Sequence, residues 1–201
     1  MIFLYRDPFK SIKDLSKEEL RLAGLRIDPK TNIGSRVTYY NNLKTKDFIN
    51  HSNLFQVSGL PPDPKLSNFS FSPDQKKLAF TNTTSFGVEV WVLDLNSNLS
   101  KKLTESKVNA NLRDVINWFE DSKSILVKMI PNTKKNLIDT EESIPIGPIV
   151  SVNDGKKAQN RTYQDLLKNK NDEHNFEHLA FSDLYKVSLN GKSTKWLSKA
   201  M

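Results

Sequence analysis

The stretch Phe71–Phe80, FSPDQKKLAF, decides the fold. It reads as the end of one strand, a tight turn and the start of another. Pro73 and Asp74 are turn residues, since proline presets φ and aspartate bonds its own backbone. Leu78, Ala79 and Phe80 then resume an apolar run. The same signature returns as Trp118–Val127, WFEDSKSILV, where Asp121 stands 47 residues after Asp74 and Ile125 stands 47 after Leu78. A second element repeats at twice that spacing. Trp91–Leu95 with Leu103 (WVLDL, KKLT) matches Tyr185–Leu189 with Leu197 (YKVSL, KWLS). A period of roughly 40–50 residues with several short strands per unit predicts a β-propeller.

Working outward, Met1–Tyr5 (MIFLY) reads as a strand that starts inside a blade, one strand late. Residues 7–36 form an excursion. There Ser16 and Glu19 make a capping box, Leu15 and Leu20 occupy its staple positions, and Gly24 is a plausible stop. That pattern predicts a short helix over about 17–23. Strands are expected at Val37–Leu43 and Leu54–Leu60, before Pro61, Pro62 and Pro64 break the chain. The best-formed blade has strands at about 67–72, 77–83, 88–95 and 99–104. A third unit starts with strands near 114–118 and 124–130. An insertion over 131–182, with a helical piece in RTYQDLLKN, then interrupts it before its last two strands resume at Asp183.

The expected fold class is all-β. The chain reads as one partial propeller domain over 1–201, with about two and three-quarter four-stranded blades and short helical insertions. Propellers close with 4–8 blades, so the expectation is a fragment of a longer polypeptide, or a chain that assembles with others.

Composition narrows the partners. The chain is 37% apolar and 26% charged, which suits a folded, soluble protein. No apolar run approaches the ~20 residues a membrane helix needs, and MIFLY is too short for a signal peptide core. No membrane partner is expected, and the compartment, cytoplasmic or periplasmic, stays open. There is no cysteine, hence no disulfide and no thiolate chemistry. Net charge is +7, but the lysines are scattered in pairs without arginine–aromatic stripes, so no nucleic-acid binding is expected.

RLAGLRIDPKTNIGSR (21–36), KLAFTNTTSFGVEVWVLDL (77–95), SILVKMIP (124–131) and NRTYQDLLKNKNDE (160–173) resemble the prolyl oligopeptidase family of serine peptidases. The closest branch looks like bacterial relatives of the chloroplast glutamyl endopeptidase. In that family an N-terminal propeller caps a C-terminal α/β-hydrolase domain carrying a Ser-Asp-His triad. The resemblance implies that this chain is part of the substrate-gating cap. Its partners would be the remaining blades, the hydrolase domain and, through the whole enzyme, a peptide substrate. The alternative is a non-enzymatic propeller serving as an interaction scaffold.

The residues carry no triad of their own. No G-x-S-x-G elbow is present, and the only histidines are His51, His174 and His178. The chain alone is expected to be inactive, with no catalytic, cofactor or metal residues. HNFEH (174–178) fits the H-x-x-E-H zinc pattern, with Glu177 as general base. It lacks a third ligand downstream, so a polar helix with two surface histidines is expected. The acids Asp139, Glu141, Glu142, Asp172 and Glu173 read as solvated surface. Sequons at Asn68, Asn82, Asn98 and Asn160 follow from composition. Arg21, Arg26, Arg36 and Arg161 lie in the family-like segments, and arginine pairs carboxylates bidentately. Arg161 with neighbouring Tyr163 is the candidate substrate or inter-domain contact, against a plain salt bridge within the insertion.

Overall fold

A computed structural model describes residues 1–47, 53–139, 155 and 165–200. In chain order its elements begin with β1 (Ile2–Tyr5), α1 (Ile12–Leu15), β2 (Leu20–Leu22), β3 (Leu25–Asp28) and β4 (Ile33–Gly34). Next come β5 (Asn42–Thr45), β6 (Phe55–Gln56), β7 (Leu66–Phe71), β8 (Lys77–Thr83), β9 (Val88–Asp94) and β10 (Leu99–Lys102). The last are β11 (Ile116–Trp118), β12 (Ser124–Met129), α2 (Lys170–Ala180), β13 (Ser182–Ser188) and β14 (Ser193–Ala200). Three antiparallel sheets form the arc: β1-β5-β6, then the meander β7-β8-β9-β10, then β11-β12-β13-β14. A small sheet, β2-β3-β4, sits in the first excursion. The sheets do not close, so the architecture is an incomplete propeller whose first sheet has three strands among the described residues.

The middle blade is buried on both faces, and its alternation shows why. Leu78, Phe80 and Leu93 pack with Leu43, Val57 and Leu66, filling the space toward the first blade. Ala79, Val88 and Val90 point the other way and meet Ile125, Val127 and Val187 of the third blade. The period of 47 is therefore a packing period. Ile125 and Val127 face the preceding blade as Leu78 and Phe80 do. Leu126, the counterpart of Ala79, faces outward and is only half-buried. On that open face Lys186 lies 4.5 Å from the Phe119 ring centroid, and Phe119 packs at a tilt against Trp196, with centroids 5.4 Å apart.

The repeated turns are built alike. Asp74 accepts from Lys76 N at 3.1 Å, and Asp121 accepts from Lys123 N at 2.8 Å. Gln75 and Ser122, also 47 apart, both take left-handed φ, 55° and 52°. The turns also touch, because Asp74 N donates to Ser122 Oγ at 3.1 Å. Trp118 Nε1 donates to the Ser70 carbonyl at 3.0 Å, tying the leading strands β7 and β11. A further repeat was not visible in sequence. Buried Glu89 pairs with Lys102 at 2.9 Å, and buried Asp183 pairs with Lys195 at 2.7 Å.

Several local expectations are corrected. No helix spans 17–23. The helical turn is Ile12–Leu15, capped by Ser11, and Ser16 ends it. Leu20–Leu22 is instead a strand paired with Leu25–Asp28. Ala23 and Gly24, at φ 50° and 77°, form the two-residue hairpin turn that requires positive φ at both positions. The capping box fails because Glu19, its reciprocal partner, is taken by three arginines. The strand expected at 37–43 lies at Asn42–Thr45, with Tyr40 bridged to Leu66. That expected at 54–60 shrinks to Phe55–Gln56. Within RTYQDLLKN, residues 161–164 lie outside the described residues, and 165–169 are not helical. The helix starts at Lys170 because Asn169 caps it, accepting from Asp172 N.

Candidate functional site

Strand direction gives the arc two unlike ends. One end carries the short hairpin turns 72–76, 95–98, 119–123 and 189–192. The other carries both excursions and the linkers between blades. Three clusters gather at this decorated end.

The first surrounds Glu19, whose side chain is 14% exposed. Arg21 Nε, Arg26 Nη1 and Arg36 Nε reach its carboxylate at 3.1, 3.0 and 2.9 Å. Ser35 Oγ donates to it at 2.5 Å. The Ser35 hydroxyl and then Arg36 pull the carboxyl down to a pKa of about 2. The hairpin β2–β3 supplies Arg21 and Arg26 as directly opposed neighbours, and β4 carries the chain back to Ser35 and Arg36. The knot borders a cleft of about 370 Å³ lined by Arg6, Phe9, Lys10, Tyr39, Tyr40 and Lys65 among others. Across it, Lys65 meets Asp14 at 2.8 Å; with Ser11, it holds that carboxyl well below the usual range.

The second cluster is a buried amide hub. Asn109, fully buried, accepts from Asn32 Nδ2 at 3.0 Å. It donates to the carbonyls of Leu179 and Phe181, each at 3.0 Å. One side chain thus joins the first excursion, the linker between blades and the C-terminal end of α2. Lys134 Nζ donates to Asn32 Oδ1 at 2.6 Å, so its partner among the described residues is a neutral amide. Burial pushes its pKa down. Burial likewise lowers that of Lys128, whose Nζ donates to the backbone carbonyls of Asn111, Leu112 and Arg113.

The third is the histidine pair on α2. The His174 and His178 rings stack with centroids 4.0 Å apart and 25° between their planes. The helix is anchored on its other side by Leu179 and Phe176, packed with Leu22 and Ile27. Among the described residues no group of three metal-ligating side chains converges. The pair thus sits on a helix, as HNFEH suggested.

The sequence candidates are distributed unevenly. Arg161 and Tyr163 lie outside the described residues, as do His51, Glu141, Glu142 and Asn160. Arg21, Arg26 and Arg36 are brought together, but on an internal carboxylate. Asp172 accepts from Lys168 N, and Glu173 pairs with Lys170, so both work locally at the start of α2. Sequence reasoning missed Glu19, Asn109 and Lys134. Only Glu19 gave a signal, one acid set among three arginines within an 18-residue stretch (19–36).

No family model matches the chain. A probable chloroplastic glutamyl endopeptidase of Arabidopsis thaliana is 32% identical over 203 residues, covering 95% of this chain and 21% of the relative. A protein of the same description from Oryza sativa subsp. japonica is 30% identical, again over 95% of this chain and 21% of its own length. The chain thus spans about a fifth of the curated relatives it matches. Among solved structures, a prolyl endopeptidase overlaps 91% of this chain and 22% of its own, at TM-score 0.43 and 14% identity. An acylaminoacyl peptidase of Pyrococcus horikoshii overlaps 82% of this chain and 22% of its own, at TM-score 0.39 and 18% identity. With the arc of blades in place and both plant sequences matched along nearly the whole chain, the protein is a partial propeller similar over 95% of its length to glutamyl endopeptidases, peptidases of the prolyl oligopeptidase type.

Proposed function

We propose that this chain is part of a substrate-gating propeller, with its decorated end turned toward an α/β-hydrolase domain borne by the rest of the protein. The observation that carries this reading is the asymmetry of the two ends. Phe9, Ile12 and Phe86 are 86%, 85% and 85% exposed, all in segments at the decorated end, and Phe9 lines the cleft. Large apolar side chains held in water beside a cleft are what a docking face presents. The hairpin end exposes apolar side chains less fully, with Phe71 at 53% and Leu54 at 45%.

The propeller's role is exclusion and positioning. It admits short or unfolded peptides and lends binding surface, while bond cleavage happens in the other domain. The relatives' name, glutamyl endopeptidase, makes peptides with acidic side chains the first substrates to try.

The test is a full-length protein containing this segment. It should cleave short acidic peptides and spare a folded protein. Phe9→Asp with Ile12→Asp should weaken domain docking and let folded protein be attacked. The isolated chain should cleave nothing. Serine-inhibitor-sensitive cleavage by the purified chain would overturn the reading. A full-length protein with blades but no G-x-S-x-G would favour the scaffold instead.

A further inference from the structure

The histidine pair on α2 holds more than a motif match. His174 and His178 stand one helical turn apart on the same face, and their rings are already in contact. His178 Nδ1 lies 2.8 Å from the His174 carbonyl, which only accepts. The proton of the neutral ring is therefore on Nδ1, and the lone pair on Nε2 is left for another partner. A ring whose second nitrogen is tied to a backbone carbonyl is the usual arrangement of a metal-bound imidazole. His174 Nε2 faces the Asn136 carbonyl at 3.5 Å, a longer contact of the same sense.

The backbone beneath the pair is fixed. Asn175, between the two histidines, is buried and bonded to Ile138 by both ends of its amide. Leu179 is fully buried, and its carbonyl is held by Asn109 and Asn111. Glu177, exposed on the same helix, adds a negative charge near the pair, while Glu173 is paired with Lys170.

We propose that His174 and His178 form a two-imidazole chelate for a borderline divalent ion of the zinc, nickel or copper class. Two nitrogens each about 2.0–2.1 Å from one ion sit roughly 3 Å apart, so the stacked rings must turn about their side-chain bonds to aim their in-plane lone pairs at one point. Imidazole selects these ions over magnesium and calcium, which take oxygen ligands. With no third protein donor converging among the described residues, water completes the coordination sphere. The site is structural: an ion across this turn staples the helix whose last carbonyls clasp Asn109. It thereby couples metal binding to the seating of the insertion on the blades.

The test is titration of the full chain with Ni²⁺ or Zn²⁺, read by calorimetry and by the melting temperature, with Mg²⁺ as the control ion. One ion per chain should bind and raise the melting temperature, and Mg²⁺ should do neither. Since disturbing even an outer-shell partner costs roughly 10–100-fold in metal affinity, His174→Gln and His178→Gln should each lose at least that much. His51→Gln should bind as the parent does. Helical signal of each variant without metal shows that it is folded, and His174, whose contact is the longer one, is the safer change. No binding by the parent, binding unchanged in both variants, or binding lost in His51→Gln would each overturn the proposal.

Discussion

Replacing Glu19 by glutamine keeps the shape of the side chain and removes its charge. Three arginines then crowd an uncharged amide; among the described residues the other carboxylate paired with them is Asp165, which lies 3.9 Å from Arg26. A carboxyl lowered from 4.5 to about 2 sets an upper bound of about 3.4 kcal/mol, at ~1.36 kcal/mol per pH unit. Arg21 and Arg36 are 54% and 61% exposed, so solvent screens much of this. A loss of about 1–2 kcal/mol at pH 7 is expected. The sign follows from the lowered pKa. Stability from the knot is present above the unfolded carboxyl's pKa near 4.5, and it is lost as pH falls through about 2. Urea unfolding of parent and variant at pH 7, 5, 3.5 and 2 measures it. The gap in midpoint should be full at pH 7, narrow below pH 4.5 and nearly vanish at pH 2. A variant as stable as the parent at pH 7, or a gap unchanged at pH 2, would refute the role given to the knot.

Two further changes test the arc and the hub. Phe80→Ala, between two blades, should cost about 3–5 kcal/mol by urea unfolding. Leu126→Ala, on the open face, should cost under about half as much, because water already reaches that side; equal losses would mean that the face is covered. Lys134→Met removes a half-buried cation whose partner among the described residues is an amide, and should stabilise at pH 7 by up to about 1 kcal/mol. Burial lowers this lysine's pKa, so the penalty exists below that value. The variant's advantage should fade as pH rises toward 10.5, and an advantage that persists there would count against the explanation.

The capping box at Ser16–Glu19 teaches most about reading this chain. Its local signal is sound, and in an isolated peptide nothing would compete with it. In the fold, Glu19 meets Ser35 and Arg36, 16 and 17 residues away, and charged partners outweigh one backbone N–H. The helix slips to Ile12–Leu15, and the freed segment becomes the strand that places Arg21. The HNFEH stretch is the converse case, since its helical spacing was plain and only the ring contact and the carbonyl beside His178 needed coordinates.

What the sequence determined alone is the blade. Alternating apolar residues and the Asp74 and Asp121 turns act over two to five residues, and their repetition at 47 made the inter-blade packing predictable before any coordinate was known. Tertiary structure alone decided the decorated end. Asn109 and Asn32 are separated by 77 residues, and neither carries a pattern that announces the other. A buried polar group takes whichever partner the folded chain brings within about 3 Å, and that choice is made by topology rather than by local periodicity.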